Sequence, residues 1–212
     1  MSSTDQLLME PVRLRVATTP PVLSPYAREL QAHRDAFEHL HLLAPVVERS
    51  ARVMAQSLRA GGKLMLCGNG GSAADCQHIA AEFTGRFRGE RAPLAAMALS
   101  TDTSALTCIG NDYGFEHVFA RQVRALGRRG DCLIAISTSG RSPNVLRAVE
   151  AAHEAGMTTI ALTGGTGGPL ASACNWVVPV PCDQTARIQE AHIFIGHSWC
   201  ALIEEALGVA GA

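Results

Sequence analysis

Five short apolar runs, at residues 64–67, 94–99, 131–136, 157–162 and 176–180, are separated by segments in which apolar residues recur at helical spacing. The runs are continuous rather than alternating, the pattern of strands buried on both faces. The fold predicted is therefore α/β, a parallel sheet covered by helices on both sides. A helix is expected from Ser24, with Pro25 in its first position and Leu30, Phe37, Leu40 and Leu43 as its apolar positions, up to Pro45. A second follows over residues 45–60, carrying Val47, Val53, Met54 and Leu58 and stopped by Gly61 and Gly62. These two either cap the sheet or pair with another subunit. Further helices are expected at 101–111, ended by Gly110; at 116–126, ended by Gly127; at 143–155; and at about 185–207. Residues 1–23 hold Ser, Thr and three prolines without a sustained period, and read as an extended or disordered leader to a single domain over 24–212.

The chain is organised around residues 63–86, KLMLCGNGGSAADCQHIAAEFTGR. A strand feeds the loop Gly68, Asn69, Gly70, Gly71, Ser72, and the loop starts a helix. Ser72 with Asp75 three residues on reads as an N-cap and capping box, which would gather free amides and the positive end of the helix dipole into a cradle for an anion or a sugar oxygen. Cys76, Ile79, Ala80, Phe83 and Phe87 form an apolar stripe on that helix, and Asp75, His78, Glu82 and Arg86 a polar one beside it.

Ligands of such sheets bind at the carboxyl ends of the strands, where two more unusual loops fall. Ser137, Thr138, Ser139, Gly140, Arg141, Ser142 and Pro143 offer four hydroxyls and a helix start, either a phosphate pocket or a capped turn. Residues 163–169, TGGTGGP, offer glycines and a possible helix start at proline, either a further ligand loop or a tight turn. The dinucleotide fingerprint is incomplete at Gly68 to Ala73 and there is no P-loop, so a phosphosugar is favoured over a nucleotide. His78 and Glu82, at i and i+4, suit a shared metal or a proton path, and Gln189, Glu190, His192 and His197 add polar groups to the last helix. Gln189 and His197 lie about 12 Å apart on a straight helix. Either Gln189 sits in an irregular first turn, or the two serve sites on different subunits.

Composition removes other classes. A formal net charge of -1, with no run of basic residues longer than two, gives no footprint for nucleic acid or an anionic membrane surface. No apolar run reaches the ~20 residues of a membrane span. The seven cysteines, an odd number without a C-x-x-C pair, read as buried thiols of a reducing compartment, so a cytoplasmic protein is expected.

The motifs GNGGSAADCQHIAAEFTGRF, TDTSALTCIGNDYGFEHVFARQVRALGRRGD, ISTSGRSPNV and RIQEAHIFIGH, in this order over residues 52–207, resemble the bacterial phosphoheptose isomerase family of the sugar isomerase (SIS) domain superfamily. The resemblance implies a three-layer α/β/α sandwich with a five-stranded parallel sheet and a homotetramer with sites near subunit interfaces. It also implies conversion of sedoheptulose 7-phosphate to D-glycero-D-manno-heptose 7-phosphate, the first step of ADP-heptose biosynthesis, and zinc as cofactor. Carried over by position, the metal ligands are His78, Glu82, Gln189 and His197. The substrate contacts are Asn69, Gly70, Gly71, Ser72, Glu82, Asn111, Asp112, Ser137, Thr138, Ser139, Ser142 and Gln189, and the acid/base pair is Glu82 and His197. Ala186 departs from an acidic residue found in some members. Two other readings are a tetrameric adaptor of the replication-initiator-associating type, which lacks an acid at the position of Glu82, and a sugar-phosphate sensor, which does not need His78, Glu82 and His197 together.

Overall fold

The computed structural model describes residues 23–209, so the expected leader lies, Leu23 apart, outside the described residues. The elements in chain order are α1 (Pro25–Glu38), a 3-10 turn (Leu40–Leu43), α2 (Ala44–Arg59), β1 (Leu64–Gly68), α3 (Gly71–Thr84), β2 (Ala96–Ala98) and α4 (Thr103–Tyr113). A second 3-10 turn (Phe115–His117), α5 (Ala120–Leu126), β3 (Cys132–Ser137), α6 (Pro143–Glu154), β4 (Thr158–Gly164), α7 (Leu170–Ala173), β5 (Trp176–Val180) and α8 (Thr185–Leu207) follow. All neighbouring strands pair in parallel, in the order β2-β1-β3-β4-β5.

Alternate residues of the strands enter two separate cores. Leu64, Leu66, Ile134, Ile136, Ile160 and Leu162 pack with α2, α3 and α8. Met65, Cys67, Leu133, Ala135 and Ala161 pack with α5 and α6 on the opposite face. Both faces being dry, the strands read as unbroken apolar runs. The order reverses between β1 and β3, which makes their carboxyl ends the switch point at which this class of sheet binds ligands.

The N-terminal helices do cover the sheet. Met54 and Ala51 of α2 are buried in the first core, and the Trp199 indole donates to Val47 O at 3.2 Å and to Ser50 Oγ at 3.0 Å. The Ser24 hydroxyl caps α1 by accepting from Ala27 N at 3.2 Å. α1 buries Ala36 alone and is fastened to α8 by polar contacts: Arg187 donates to Glu29 O at 2.6 Å, and His33 Nδ1 meets Glu190 Oε2 at 2.8 Å.

Several boundaries differ from the sequence reading. The helix expected from Ser24 up to Pro45 stops at Glu38 and gives way to the 3-10 turn Leu40–Leu43, and of the run 94–99 only Ala96–Ala98 pairs as a strand. α4 runs through Gly110 and ends at Gly114, whose φ of +91° is the conformation that stops a helix, while Gly110 has no such constraint. The helix expected at 116–126 divides into a 3-10 turn and α5, because Val118 and Phe119 turn into the core between them. α7, four residues long within a glycine-rich loop, is too short to leave a periodic signal.

His192 of α8 is fully buried and its Nε2 donates to Thr163 O at 3.1 Å, while Nδ1 has no partner among the described residues. Burial lowers its pKa from 6.5 to about 4, a shift the Thr163 bond opposes. The unfolded chain therefore binds a proton that the native chain refuses. Its contribution to stability is complete above pH 6.5 and is lost as pH falls toward 4, amounting to about 3 kcal/mol over that window. Denaturant unfolding of the parent and of His192→Gln at pH 7 and pH 4 checks this: the stability difference between them is expected to shift toward the variant by about that amount.

Candidate active site

β1 and β3 each deliver a loop and a helix to the switch point. After β1, Gly70 at φ +57° is the N-cap residue of α3 and offers no side chain. The capping box expected of Ser72 and Asp75 is not formed. Ser72 lies inside the first turn, buried to 3% exposure, because it packs over Gly68, where a Cβ would stand 2.9 Å from its own Cβ. Asp75 Oδ2 is buried without a hydrogen-bond partner among the described residues, and burial pushes its carboxyl up to about 6 against the pull of His78. After β3, Ser142 holds the N-cap position of α6, but its hydroxyl meets Ser137 Oγ at 2.9 Å instead of a helix amide. Two helix N-termini thus reach the same edge without a side-chain cap; Ser72 N, Ala73 N and Val145 N turn back to Asn69 O, Gly70 O and Ser142 O, and what the ends present outward is chiefly the positive pole of their dipoles.

The two loops are joined by a reciprocal amide pair. Asn69 Nδ2 donates to Asn144 Oδ1 at 2.9 Å, and Asn144 Nδ2 donates to Asn69 Oδ1 at 2.8 Å. Beside it opens a cavity of about 530 Å³ lined by Asn69, Phe115, Glu116, Ser142, Asn144 and Arg147. The third loop acts as a buttress. Gly164 N donates to Thr138 O at 3.0 Å, and a Cβ on Gly140 would lie 1.9 Å from Gly167 O, so the two loops pack backbone to backbone. Thr138 is half-buried there, and the exposed Ser139 accepts from Arg141 N at 3.3 Å.

α3 and α8 run side by side in the same direction, with Gln189 against Gly71 at the loop end and Gly196 against Ile79 one stretch further. The next residue, His197, meets His78 Nε2 to Nε2 at 3.4 Å, and His78 Nε2 lies 3.3 Å from Glu82 Oε1. One ligand atom from each of the three residues falls within 4.8 Å of the others. Phe87 stacks on the His197 ring, with centroids 5.6 Å apart. Two imidazole nitrogens and a carboxylate turned toward one point are the donor set that zinc takes, and equally a set able to pass a proton.

The sequence-selected residues fall into three groups. His78, Glu82 and His197 come together as a triad. Asn69, Gly70, Gly71, Ser137, Thr138, Ser139 and Ser142 gather at the switch-point edge. Gln189 belongs with the loop: α8 is regular from Thr185, which removes the irregular first turn as an explanation, and puts Gln189 about 12 Å from His197 along the axis. Asn111 and Asp112 lie exposed in the last turn of α4, hydrogen-bonded to each other at 2.7 Å. Asn144 was not expected from sequence. An asparagine in the first turn of a helix, directly before the apolar Val145, was its only signal.

The SIS domain family matches residues 26–164. The phosphoheptose isomerase of Rhodospirillum rubrum is 56% identical over 177 residues, 84% of this chain and 94% of that protein. The solved phosphoheptose isomerase of Neisseria gonorrhoeae superposes with a TM-score of 0.76 at 52% identity, over 85% of this chain and 95% of that one. That of Francisella tularensis superposes with a TM-score of 0.78 at 42% identity, over 85% and 94%. With the three-layer sandwich, the switch-point loops and the His-Glu-His cluster in place, the chain belongs to the phosphoheptose isomerase family of SIS-domain proteins.

Proposed function

We propose that the chain interconverts sedoheptulose 7-phosphate and D-glycero-D-manno-heptose 7-phosphate through an enediol, the opening step of ADP-heptose synthesis in the cytoplasm. The observation that carries this reading is the convergence of His78, Glu82 and His197, which a sensor or an adaptor has no use for. The phosphate belongs at the positive ends of α3 and α6, where Ser137, Thr138, Ser139 and Ser142 supply hydroxyls. Gly71 and His78 are two turns apart on α3, about 10 Å along its axis, comparable to the length of an extended seven-carbon sugar phosphate.

The isomerisation moves one proton between neighbouring carbons. A base takes it from the carbon beside the ketone while the carbonyl oxygen gains a proton, giving the enediol. Return of a proton to the former carbonyl carbon, with loss of one from the other hydroxyl, leaves the aldehyde. Glu82 and His197 are the acid/base pair for these transfers, with His78 holding its Nε2 toward both. Zinc fits the site, and His78, Glu82 and His197 would hold it. When bound, it supplies Lewis-acid polarisation of the substrate oxygens. Gln189 joins this set from a second copy of the chain, since its own helix carries it away from the triad. The assembly is a homotetramer, and an apolar groove of about 590 Å³ beside His197, lined by Phe37, Leu40, Leu43, Phe87 and Phe194, supports a contact between its copies there, because Phe194 is otherwise 49% exposed.

Three outcomes are expected. Protein purified without chelator contains zinc, and stripping it abolishes turnover of sedoheptulose 7-phosphate followed by NMR; full activity in metal-free protein overturns the zinc assignment. Glu82→Gln lowers turnover by ~10²–10⁴, while a thermal-shift titration still reports sugar binding, because the amide keeps the size and an oxygen but cannot transfer the proton. A loss of less than about tenfold removes Glu82 from the acid/base role. Ser142→Ala raises KM for the phosphosugar. Its stability cost is that of the Ser137 hydrogen bond, about 1 kcal/mol, rather than that of a helix cap. An unchanged KM places the phosphate elsewhere.

A further inference from the structure

The C-terminal end of α3 is held by a buried ion pair that the chemistry of the triad does not itself require. Arg91 Nε lies 2.6 Å from Glu204 Oε1, and the two side chains are 2% and 3% exposed. The rest of the guanidinium is spent on backbone. Nη2 donates to Glu82 O at 2.7 Å, and Nη1 to Phe83 O at 2.9 Å, with Ala92 O at 3.1 Å and Gly85 O at 3.3 Å beside it. Glu82 O and Phe83 O are carbonyls of the last helical turn, which have no partner within the helix.

Glu204 stands on α8 two turns beyond His197 and on the same face, since seven residues nearly complete two turns. A single planar group therefore joins the backbone of Glu82 to the helix that carries His197. Cys200, between His197 and Glu204, senses the same neighbourhood. Its thiol is pushed up to about 12, by burial first and then by the carboxylates of Glu82 and Glu204, with Arg91 opposing them.

We propose that Arg91 and Glu204 are a positioning pair, a buried strut that fixes α3 against α8 and so sets the separation of Glu82 from His197. The inference rests on the reading of the triad as the active site. Folding energy alone is a poor reason for such a pair, because the desolvation of two buried charges offsets their attraction, and apolar replacements of similar volume are often as stable. What the fork of the guanidinium supplies, and packed methylenes do not, is direction: donors fixed in one plane, aimed at one carboxylate and at the end of one helix.

The test compares the double variant Arg91→Met/Glu204→Leu with Arg91→Lys, which keeps the charge but loses the fork. Zinc affinity is measured by competition with a chromophoric chelator, Tm on metal-free protein, and kcat and KM on the reloaded protein. The expected result is a metal-free Tm lowered by no more than about 10 °C, the cost of the α3 carbonyls that lose the guanidinium. With it, zinc binding is weaker and kcat lower by about tenfold or more in both variants, and KM stays within about threefold. A folded variant that retains zinc affinity and kcat within about twofold overturns the proposal. So does a loss confined to Tm. If the double variant does not fold, Arg91→Lys is judged by the same thresholds, and if neither folds the pair is structural and the proposal fails. A parent that binds no zinc and whose Glu82→Gln variant stays active instead overturns the reading of the triad.

Discussion

The structure turns on how closely α8 lies against α3. At Gly196 a Cβ would stand 2.5 Å from Ile79 Cδ1, so the two helices meet with the end of the Ile79 side chain filling the space over a bare backbone, and a larger residue there would have to displace it. This approach is what lets His197, the next residue, reach His78 across the interface. Were the helices separated by a side chain, the imidazoles and the Glu82 carboxylate would face solvent as unrelated surface groups. The packing is also dry: Ile79, Phe83, Ile195, Trp199 and Cys200 are all buried around the contact, which places a polar cluster at the rim of an apolar seam.

The loop end of the site obeys a different constraint. There the chain is held by hydrogen bonds between neutral groups, the Asn69 and Asn144 carboxamides and the Ser137 and Ser142 hydroxyls, over a bed of glycine backbone. Hydroxyls and amides that could have closed the helix ends are tied to one another instead. The loop is therefore held in one shape by its own side chains, and a ligand there has little of it left to order.

The sheet, its parallel sense and its helical layers were legible because strands buried on both faces are largely apolar, as β1, β3 and β4 are over Leu64–Cys67, Cys132–Ile136 and Ile160–Leu162. His78 and Glu82 were legible from i and i+4 spacing alone, and Ser137 to Ser142 from the crowding of hydroxyls. What local sequence could not carry was anything that depends on two elements at once. The capping box at Ser72 failed because Gly68, on the strand before it, draws the serine inward. The cap at Ser142 failed because Ser137 competes for its hydroxyl. Arg91 and Glu204, 113 residues apart, carry no mark of each other in the sequence, and the Asn69–Asn144 pair spans 75 residues.

That amide pair bears on how the protein ages. Asn69 precedes Gly70, and an asparagine followed by glycine is open to cyclisation, in which the glycine nitrogen attacks the side-chain carbonyl and the asparagine ends as an acid. In this loop the Asn69 carboxamide both donates to Asn144 and accepts from it, which resists the rotation that cyclisation needs. Conversion to aspartate would leave one of the two bonds and add a negative charge to the cavity that Asn69 lines with Ser142 and Asn144. The chemical lifetime of the loop and its shape are thus governed by the same two hydrogen bonds.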